Sequence, residues 1–332
     1  MTRILALIVD YHTTTDAEFL SYQLATHAAA TLEAHPGLFS IQIVHIDNGN
    51  SPPVTLSSRQ REFAIQSLTT GKNLGYGGAL HFAIQQYAQS VPAADHAGAY
   101  DAYWFLNADL EIDSECLPQL VRVLNQHPAV GAIGPLVREY SRRNRTWGAR
   151  GKISPWLGTT AMTDWQVSGP LPRWSYIPGC SLLVRAQAYH QVGGLPTQYH
   201  LYYEETDFCV QLQRQNWILW VERTAVAYHK VDSMKDRIPA RHFAYYFTRN
   251  NLLFWKKCFQ IPIWFQIPRT LFVLFKEVLL PLRRARSWDL FFDRLKYAKS
   301  GMIDGIRLAQ GRPLIFEKNL FWSSHAKTSP RP

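Results

Sequence analysis

The sequence predicts an α/β fold, a mostly parallel sheet flanked by helices and followed by a helical, basic extension. Three observations carry this expectation. Short apolar, β-branched runs in the first part of the chain end in polar residues, as buried parallel strands do at their carboxyl ends. Longer Ala- and Leu-rich runs with helical spacing alternate with them, the rhythm of successive βαβ units. Beyond residue 230 the composition turns basic and aromatic.

The elements follow in order. "ILALIVDY" reads as the first strand: its apolar stretch is short, contains Asp10 and lacks a small-residue cleavage site, so it is not expected to be a signal peptide. "DAEFLSYQLATHAAATLEAH" is a helix by spacing and propensity. "SIQIVHIDNG" is the second strand, and "GKNLGYGGALHFAIQQYAQ" is a glycine turn opening a helix. "AYWFLNADLEID" reads as one further strand, and a Pro-, Gly- and Arg-containing middle leads to the strand "GCSLLVRA". The acid cluster in "HLYYEETDFCVQLQRQ" then opens a helix, and "ILWVERTAVAYHK" is a strand ending at His229. The domain boundary is expected near residue 230, giving a catalytic domain over 1–230 and a basic, membrane-associating helical region over 231–332.

The bulk properties narrow the class. With 332 residues, 47% of them hydrophobic and 18% charged, the chain suits an ordered globular protein and not a disordered one. Its four cysteines are far apart and form no CxxC pair, which argues against a zinc site or a disulfide scaffold and fits a reducing compartment. The net charge of +10 is unevenly placed: residues 1–229 sum to −3 and residues 230–332 to +13. That asymmetry points to an anionic partner for the C-terminal part, nucleic acid or an acidic membrane face.

Several groups of residues can carry chemistry. Asp10, Asp47 and Asp109 each end an expected strand, where open α/β sheets bind their ligands. Asn107, Asp109 and Glu111 stand at alternate positions, and at strand spacing their oxygens share a face and can converge on one hard cation. Glycines around Asn73 precede a helix whose N-terminus favours phosphate, although the pattern is neither a Walker loop nor a true GxGxxG. Glu204, Glu205 and Asp207 crowd three carboxylates into four residues, with Arg214 about two turns further on. They either answer a helix macrodipole or hold a proton or a cation. His229, at a strand end beyond these acids, is a candidate metal or phosphate contact.

Taken together over residues 3–255, these motifs resemble glycosyltransferase family 2, the inverting GT-A enzymes, and most of all its rhamnosyltransferase branch. The resemblance is carried by "DNG" after the second strand, "NLGYGGALH", "LNAD", "PGCSLLVR", "GGLP", "YYEETDFCVQLQR", "AVAYH" and "YYFTRNNLLF". It implies a GT-A, Rossmann-like fold, a nucleotide-sugar donor and a divalent cation, Mg2+ or Mn2+. Asp47 would contact the nucleobase, and Asn73 with Gly75 would line the nucleotide pocket. Asp109 would bind the metal, with Glu111 and His229 as further candidate ligands. Glu205 would match the catalytic base and Asp207 the second acid of the same motif. The expected substrate contacts also take in Asp10, Tyr11, Gly77, Asn107 and Arg214. Asn107 stands where many relatives carry Asp, and His12 where they carry Asn. Glu205 stands where the common pattern has Asp, and its longer arm leaves Glu204 as an alternative base.

Sugar transfer needs this set. A cation neutralises charge developing on a departing diphosphate, and a carboxylate opposite that group activates the acceptor hydroxyl. The expected reaction moves a sugar, rhamnose from dTDP-rhamnose in the family branch, to a saccharide acceptor that is lipid-linked, in cell-surface polysaccharide synthesis. Galactofuranosyl and glucosyl donors stay open, as does a homo-oligomer. A nucleotidyltransferase would place a glycine-rich, Lys/Arg-bearing loop after the first strand, and "VDYHTTTDAE" has neither. A nucleic-acid-binding protein is disfavoured because the aromatics of the basic region sit in apolar runs and not as isolated stacking platforms. No apolar run of about 18 residues crosses "FQIPIWFQIPRTLFVLFKEVLLPLRRAR". With Arg283, Arg284 and Arg286 beside its apolar residues, this segment is expected to hold the protein peripherally on an anionic membrane surface, at the cytoplasmic face.

Overall fold

The computed structural model describes residues 1–49, 65–89, 99–155, 158–164, 166–230, 240–275 and 288–316. The chain divides into two compact units: one of residues 1–153, 160–200 and 204–233, the other of residues 154–159, 201–203 and 234–332.

The first unit is built on a mixed sheet. In chain order the strands are β1 (Thr2–Asp10), β2 (Phe39–Asp47), β3 (Gln66–Thr69), β4 (Ala102–Asn107), β5 (Leu110–Ile112), β6 (Val130–Glu139), β7 (Thr146–Gly148), β8 (Arg150–Ser154), β9 (Thr159–Thr163), β10 (Gly169–Pro170), β11 (Ser175–Tyr176), β12 (Ser181–Arg185) and β13 (Ile218–His229). The main sheet runs β10-β13-β6-β12-β4-β1-β2-β3, with β5 on β13 and β7 on β6, and a small second sheet runs β11-β8-β9. Strands β4, β1, β2 and β3 are parallel, as their buried apolar runs predict. β12 enters antiparallel between β4 and β6. The stretch read as one strand, "AYWFLNADLEID", is two: a turn at Ala108–Asp109 separates β4 from β5, and β5 pairs with β13. Asn107, Asp109 and Glu111 therefore do not alternate along a single strand.

The helices of this unit are α1 (Thr14–Ala34), α2 (Tyr76–Gln89), α3 (Cys116–Gln126), α4 (Ala186–Gln191) and α5 (Glu204–Arg214). On α1 the buried positions Ala17, Leu20, Leu24, Ala25 and Ala28 follow the 3–4 spacing of one helical face. They join Ile4, Ala6 and Ile8 of β1, Trp104 and Leu106 of β4, and Leu120 and Leu124 of α3 in one apolar core. Each such large side chain contributes about 1.5–3 kcal/mol on burial. The indole N–H of buried Trp104 donates to Ser181 Oγ at 3.2 Å, so its polar atom is not stranded.

The start of α1 depends on Asp10. Its Oδ1 accepts from the Thr13 N–H at 2.6 Å and the Thr13 hydroxyl at 2.7 Å, and its Oδ2 accepts from the Thr14 hydroxyl at 2.9 Å. His45 Nε2 lies 3.1 Å from Oδ2. Burial acts to raise the pKa of this carboxyl, but the bonds from His45, Thr13 and Thr14 outweigh it and hold the group down at about 2.

The second unit contains α6 (Ala240–Phe259), α7 (Ile263–Leu274) and α8 (Trp288–Ala309). α6 and α8 pack through small residues: Ala244 and Ala298 are fully buried, and a Cβ on Gly301 would collide with the Tyr245 backbone. The Tyr245 hydroxyl donates to buried Asp304 at 2.6 Å. Among the described residues no helix is long and apolar enough to cross a membrane.

Replacing Asp10 by Ala is expected to remove about 2 kcal/mol of stability at neutral pH, the worth of a downward shift of nearly two units. Because the folded-state pKa is depressed, this contribution is complete above the ordinary carboxylate range and is lost as pH falls through about 2. Urea unfolding of both proteins from pH 7 downward checks it: the stability gap narrows below about pH 4.

Candidate active site

Strand register gathers the polar strand ends at one edge of the sheet. Asp10 pairs with Asp47 and Val9 with Asn107, so β1, β2 and β4 finish level. β12 runs the other way, and Ser181 lies opposite Leu106, so the start of β12 and the preceding Gly179–Cys180 reach the same edge. The Asn107 N–H donates to the Cys180 carbonyl at 2.9 Å.

The members of this edge differ in what they can still bind. Asp10, expected as a substrate contact, is buried, and its carboxylate accepts the donors that start α1. Tyr11 beside it is exposed, its ring 4.4 Å from that of His12. Asp47 is buried, its Oδ2 makes no hydrogen bond among the described residues, and burial followed by the neighbouring Asp10 charge pushes its pKa up. A buried carboxylate oxygen without a donor is poised for one from a ligand.

Asn48, next in the chain, organises the glycine loop. Its Oδ1 accepts the Leu74 N–H at 2.9 Å, and its Nδ2 donates to Asn73 Oδ1 at 3.2 Å and to the Gly75 carbonyl at 3.3 Å. Asn73 Oδ1 also accepts the Gly75 N–H at 2.8 Å, and the Tyr76 N–H donates to the His200 carbonyl at 3.0 Å. The amides of residues 74, 75 and 76 are thus all used within the protein. The expected phosphate contact would therefore fall to amides further into the first turn of α2. Gly75 has φ +74, and a Cβ there would come within 2.6 Å of His200 Cα and closer to its carbonyl oxygen. Its smallness serves the approach of these two backbones. A Cβ on Gly77 would meet Glu204 at 3.5 Å, an ordinary contact that places Gly77 against this acid.

The three acids open α5, where the helix dipole favours negative charge. Asp207 is fully buried and accepts from the Tyr199 hydroxyl at 2.8 Å and from Gln211 Nε2 at 2.9 Å, so it braces the helix start from inside. Glu204 is buried. Glu205 keeps a partial opening to solvent. Burial raises its pKa to about 7 against the opposing pull of its own N–H and the Thr206 N–H and hydroxyl. Its Cβ and Cγ lie where a side chain on Gly179 would come within 3.2 Å. Arg214, also expected to contact substrate, is exposed in the last turn of α5, about 10–15 Å along the axis from the three acids.

Tyr76 ties these parts into one cleft. Its hydroxyl donates to the Gly179 carbonyl at 2.7 Å. Burial first, then the fields of Cys180, Glu204, Glu205 and Asp109, push its phenol well above the usual range. Buried Cys180 is pushed up by the same Asp109 and Glu205 charges after burial itself. Asp109 and Glu205, almost a hundred residues apart in sequence, therefore act on two common neighbours.

At the far side of the turn, Asp109 Oδ1 lies 3.2 Å from His229 Nε2, both groups buried. Neither ring nitrogen of His229 makes a well-formed hydrogen bond among the described residues, and its ring stands edge-on to Trp147 at 4.7 Å. The β5–β13 register sets this pair by placing His229 opposite Leu110. Glu111 instead bonds Arg143 at 2.6 Å, and Arg143 stacks over Tyr228 at 4.4 Å. No group of three or more His, Cys, Asp or Glu side chains among the described residues is placed to hold a metal. The expected set of Asp109, Glu111 and His229 thus reduces to Asp109 and His229. Two protein ligands suit a hard cation that completes its shell with substrate phosphates and water. The buried His229 ring, whose Nε2 already faces the Asp109 carboxylate, fits that use.

Sequence reasoning singled out neither Asn48, Tyr76, Gly179 nor Cys180. Their signal was present in "DNG", "LGYGG" and "PGC", as polar or small residues beside strand and helix ends.

The chain is similar to known proteins in sequence and in fold. Residues 37–186 match the model of Glycosyl transferase family 2. The N-acetylglucosaminyl-diphospho-decaprenol L-rhamnosyltransferase of Mycobacterium tuberculosis is 29% identical over 219 residues, covering 61% of this chain and 71% of that protein. Among solved structures, S. aureus TarS (residues 1–349) superposes with a TM-score of 0.53 at 12% identity, over 93% of this chain and 82% of that one. A Pyrobaculum calidifontis mannosyltransferase in complex with GDP-Man and Mn2+ gives 0.50 at 12% identity, over 98% and 80%. The fold is that of GT-A glycosyltransferases.

Gly75→Ala is expected to lower stability by about 2–4 kcal/mol, from the left-handed φ and the collision with His200 together. Gly77→Ala, whose Cβ has room, is expected to stay within about 1 kcal/mol of the parent. Thermal melts of the two variants side by side check the contrast.

Proposed function

We propose that this glycosyltransferase, which carries a family 2 domain, moves rhamnose from dTDP-rhamnose to a lipid-linked saccharide acceptor with inversion at the anomeric carbon. The single observation that carries the reading is Glu205: a partly exposed carboxylate packed beside Gly179 and pushed up to about 7 by burial, whose charge acts with that of Asp109 on Tyr76. Such a group is matched to take a proton near neutral pH. The rhamnose donor and lipid-linked acceptor are supported by the name of the M. tuberculosis relative, and galactofuranosyl or glucosyl donors are the alternatives. The reading implies a role in cell-surface polysaccharide synthesis.

In this mechanism Asp47 receives the donor's nucleobase at its buried, unsatisfied oxygen. Glu205 accepts the proton of the acceptor hydroxyl as that oxygen bonds to the anomeric carbon, while the bond to the nucleoside diphosphate breaks on the opposite face. Asp109 and His229 would hold the divalent cation, Mg2+ or Mn2+, which supplies charge neutralisation to the departing diphosphate. The Mn2+ bound to the P. calidifontis mannosyltransferase supports this choice. Glu205 is preferred to Glu204 as the base because Glu204 is buried against Gly77. Asp207 supports the base from within the helix.

A membrane surface is where a lipid-linked acceptor would be met, and α7 suits one. Its helix is inside out: Gln266 and Thr270 are buried, while Trp264, Phe265, Leu271 and Phe272, with Phe275 just past its end, are exposed. Trp264 is 74% and Phe272 62% exposed. An apolar face of this kind beside a +13 segment favours an anionic lipid surface over a second, equally basic copy of the chain. Arg283, Arg284 and Arg286, also expected to contribute, lie outside the described residues. The reading places the protein peripherally at the cytoplasmic face.

Glu205→Gln is expected to cut turnover about 10²–10⁴-fold with donor affinity nearly intact. Wild-type kcat/KM should rise with pH through about 7, since the base works deprotonated. Turnover on a panel of nucleotide-sugars, with and without chelator, tests donor, base and metal together. Retained activity in Glu205→Gln would move the base to Glu204, and chelator-insensitive turnover would remove the cation.

Flotation with phosphatidylglycerol-containing vesicles is expected to carry the protein at low salt, less so at high salt, and poorly once Trp264 and Phe272 are both Ala. Failure of the parent protein to float, or an α7-dependent dimer in sedimentation, would end the membrane reading.

A further inference from the structure

We infer that Tyr76 is a positioning residue: by holding the Gly179 carbonyl, its hydroxyl fixes the wall against which the Glu205 side chain stands. The inference rests on the proposed role of Glu205 and adds the device that places it. Every residue of that device belongs to the first unit. The wall is the short segment of residues 177–180, between β11 and β12. Three elements grip it. At its start, Ile177 fills the space that Gly134 of β6 leaves open, since a Cβ on Gly134 would collide with Ile177 Cγ2. At its end, the Asn107 N–H of β4 donates to the Cys180 carbonyl at 2.9 Å, and Ser181 then pairs with Leu106. Between these points the Gly179 carbonyl accepts from the Tyr76 hydroxyl at 2.7 Å. Tyr76 is itself held at the start of α2, where its N–H donates to the His200 carbonyl at 3.0 Å.

Helix α5 lies along this wall. The Ile177 backbone meets the Cys209 thiol, and one turn earlier the Glu205 Cβ and Cγ lie 3.2 Å from the place a Gly179 Cβ would take. Four helical residues rise about 6 Å, within the roughly 7 Å that two residues of chain can span, so both contacts are met at once. Gly179 has no left-handed φ, so its missing side chain serves the approach of Glu205 and not a turn. A Gly179 carbonyl deprived of its phenol donor takes a water in its place, and water there also solvates the neighbouring carboxylate. The tie thus keeps Glu205 in place and sustains the burial that raises its pKa. Tyr76, Cys180 and Cys209, which feel its charge, are all pushed upward by burial and do not ionise near neutral pH.

Tyr76→Phe keeps the ring and removes the donor, while Gly179→Ala brings a methyl group within 3.2 Å of the Glu205 side chain. Donor Kd, kcat and melting temperature are measured on the same preparations, together with an NMR titration of isotope-labelled Glu carboxyls in which Glu205→Gln identifies the Glu205 signal. Tyr76→Phe is expected to lower kcat about 10-fold while donor Kd stays within about twofold, the effect of a misplaced reacting group. Its Glu205 midpoint is expected to move down from about 7, because a rehydrated carboxyl returns toward its ordinary range. Gly179→Ala is expected to lower kcat about 10–100-fold with the same split from Kd, and it decides the matter if Tyr76→Phe fails to fold. An unmoved midpoint in Tyr76→Phe, or kcat and donor affinity falling in parallel with the melting temperature, would overturn the inference. Turnover of Glu205→Gln separates the two claims: if it is retained, the base assignment fails, and the tie is then judged on the midpoint alone.

Discussion

The Tyr76 amide can reach the carbonyl of His200 only because residue 75 has no side chain and turns through a left-handed φ. Much of the cleft depends on that contact. On one side it fixes the asparagine-laced loop, where Asn48 and Asn73 consume the amides that would otherwise face solvent. On the other it ends at His200, four residues before Glu204. Tyr76, held by the same contact, delivers its hydroxyl to Gly179 and stands among the acids.

Two carboxyls at this end of the molecule show how environment divides labour among identical groups. Asp10 and Glu205 both suffer desolvation. Asp10 has donors from Thr13, Thr14 and His45, which hold it ionised down to about 2 and fix it as part of the fold. Glu205 has weaker compensation from its own helix turn and rises to about 7. Burial raises both carboxyls, and the bonds to the charged form of Asp10 reverse its direction where those of Glu205 do not. Asp47 lies between them: pushed up by burial and by Asp10, it has one oxygen still waiting for a donor.

The places where local reading and structure part company share a cause. Alternation placed Asn107, Asp109 and Glu111 on one face, but the turn at Ala108–Asp109 and the pairing of β5 with β13 send Glu111 to Arg143 and Asp109 to His229. In the glycine turn the side chains of Asn48 and Asn73 take the amides of Leu74 and Gly75. Each time, a correct local feature was redirected by a partner distant in sequence.

The sequence by itself determined the parallel β1–β2–β4 core, the helices α1 and α5, the strand ending at His229, and the crowding of Glu204, Glu205 and Asp207 at a helix start. These follow from periodicity and from apolar runs that only a buried strand satisfies, information held within a dozen neighbouring residues. Tertiary structure alone decided that β12 runs antiparallel and brings Gly179 to Glu205, that Asp10 serves the fold, and that Asp109 meets His229. It also decided that α7 turns its apolar face outward and that Asn250 bonds the carbonyl of Leu201. Those outcomes depend on which buried donor finds which acceptor across a hundred residues of chain, and no local pattern encodes that pairing.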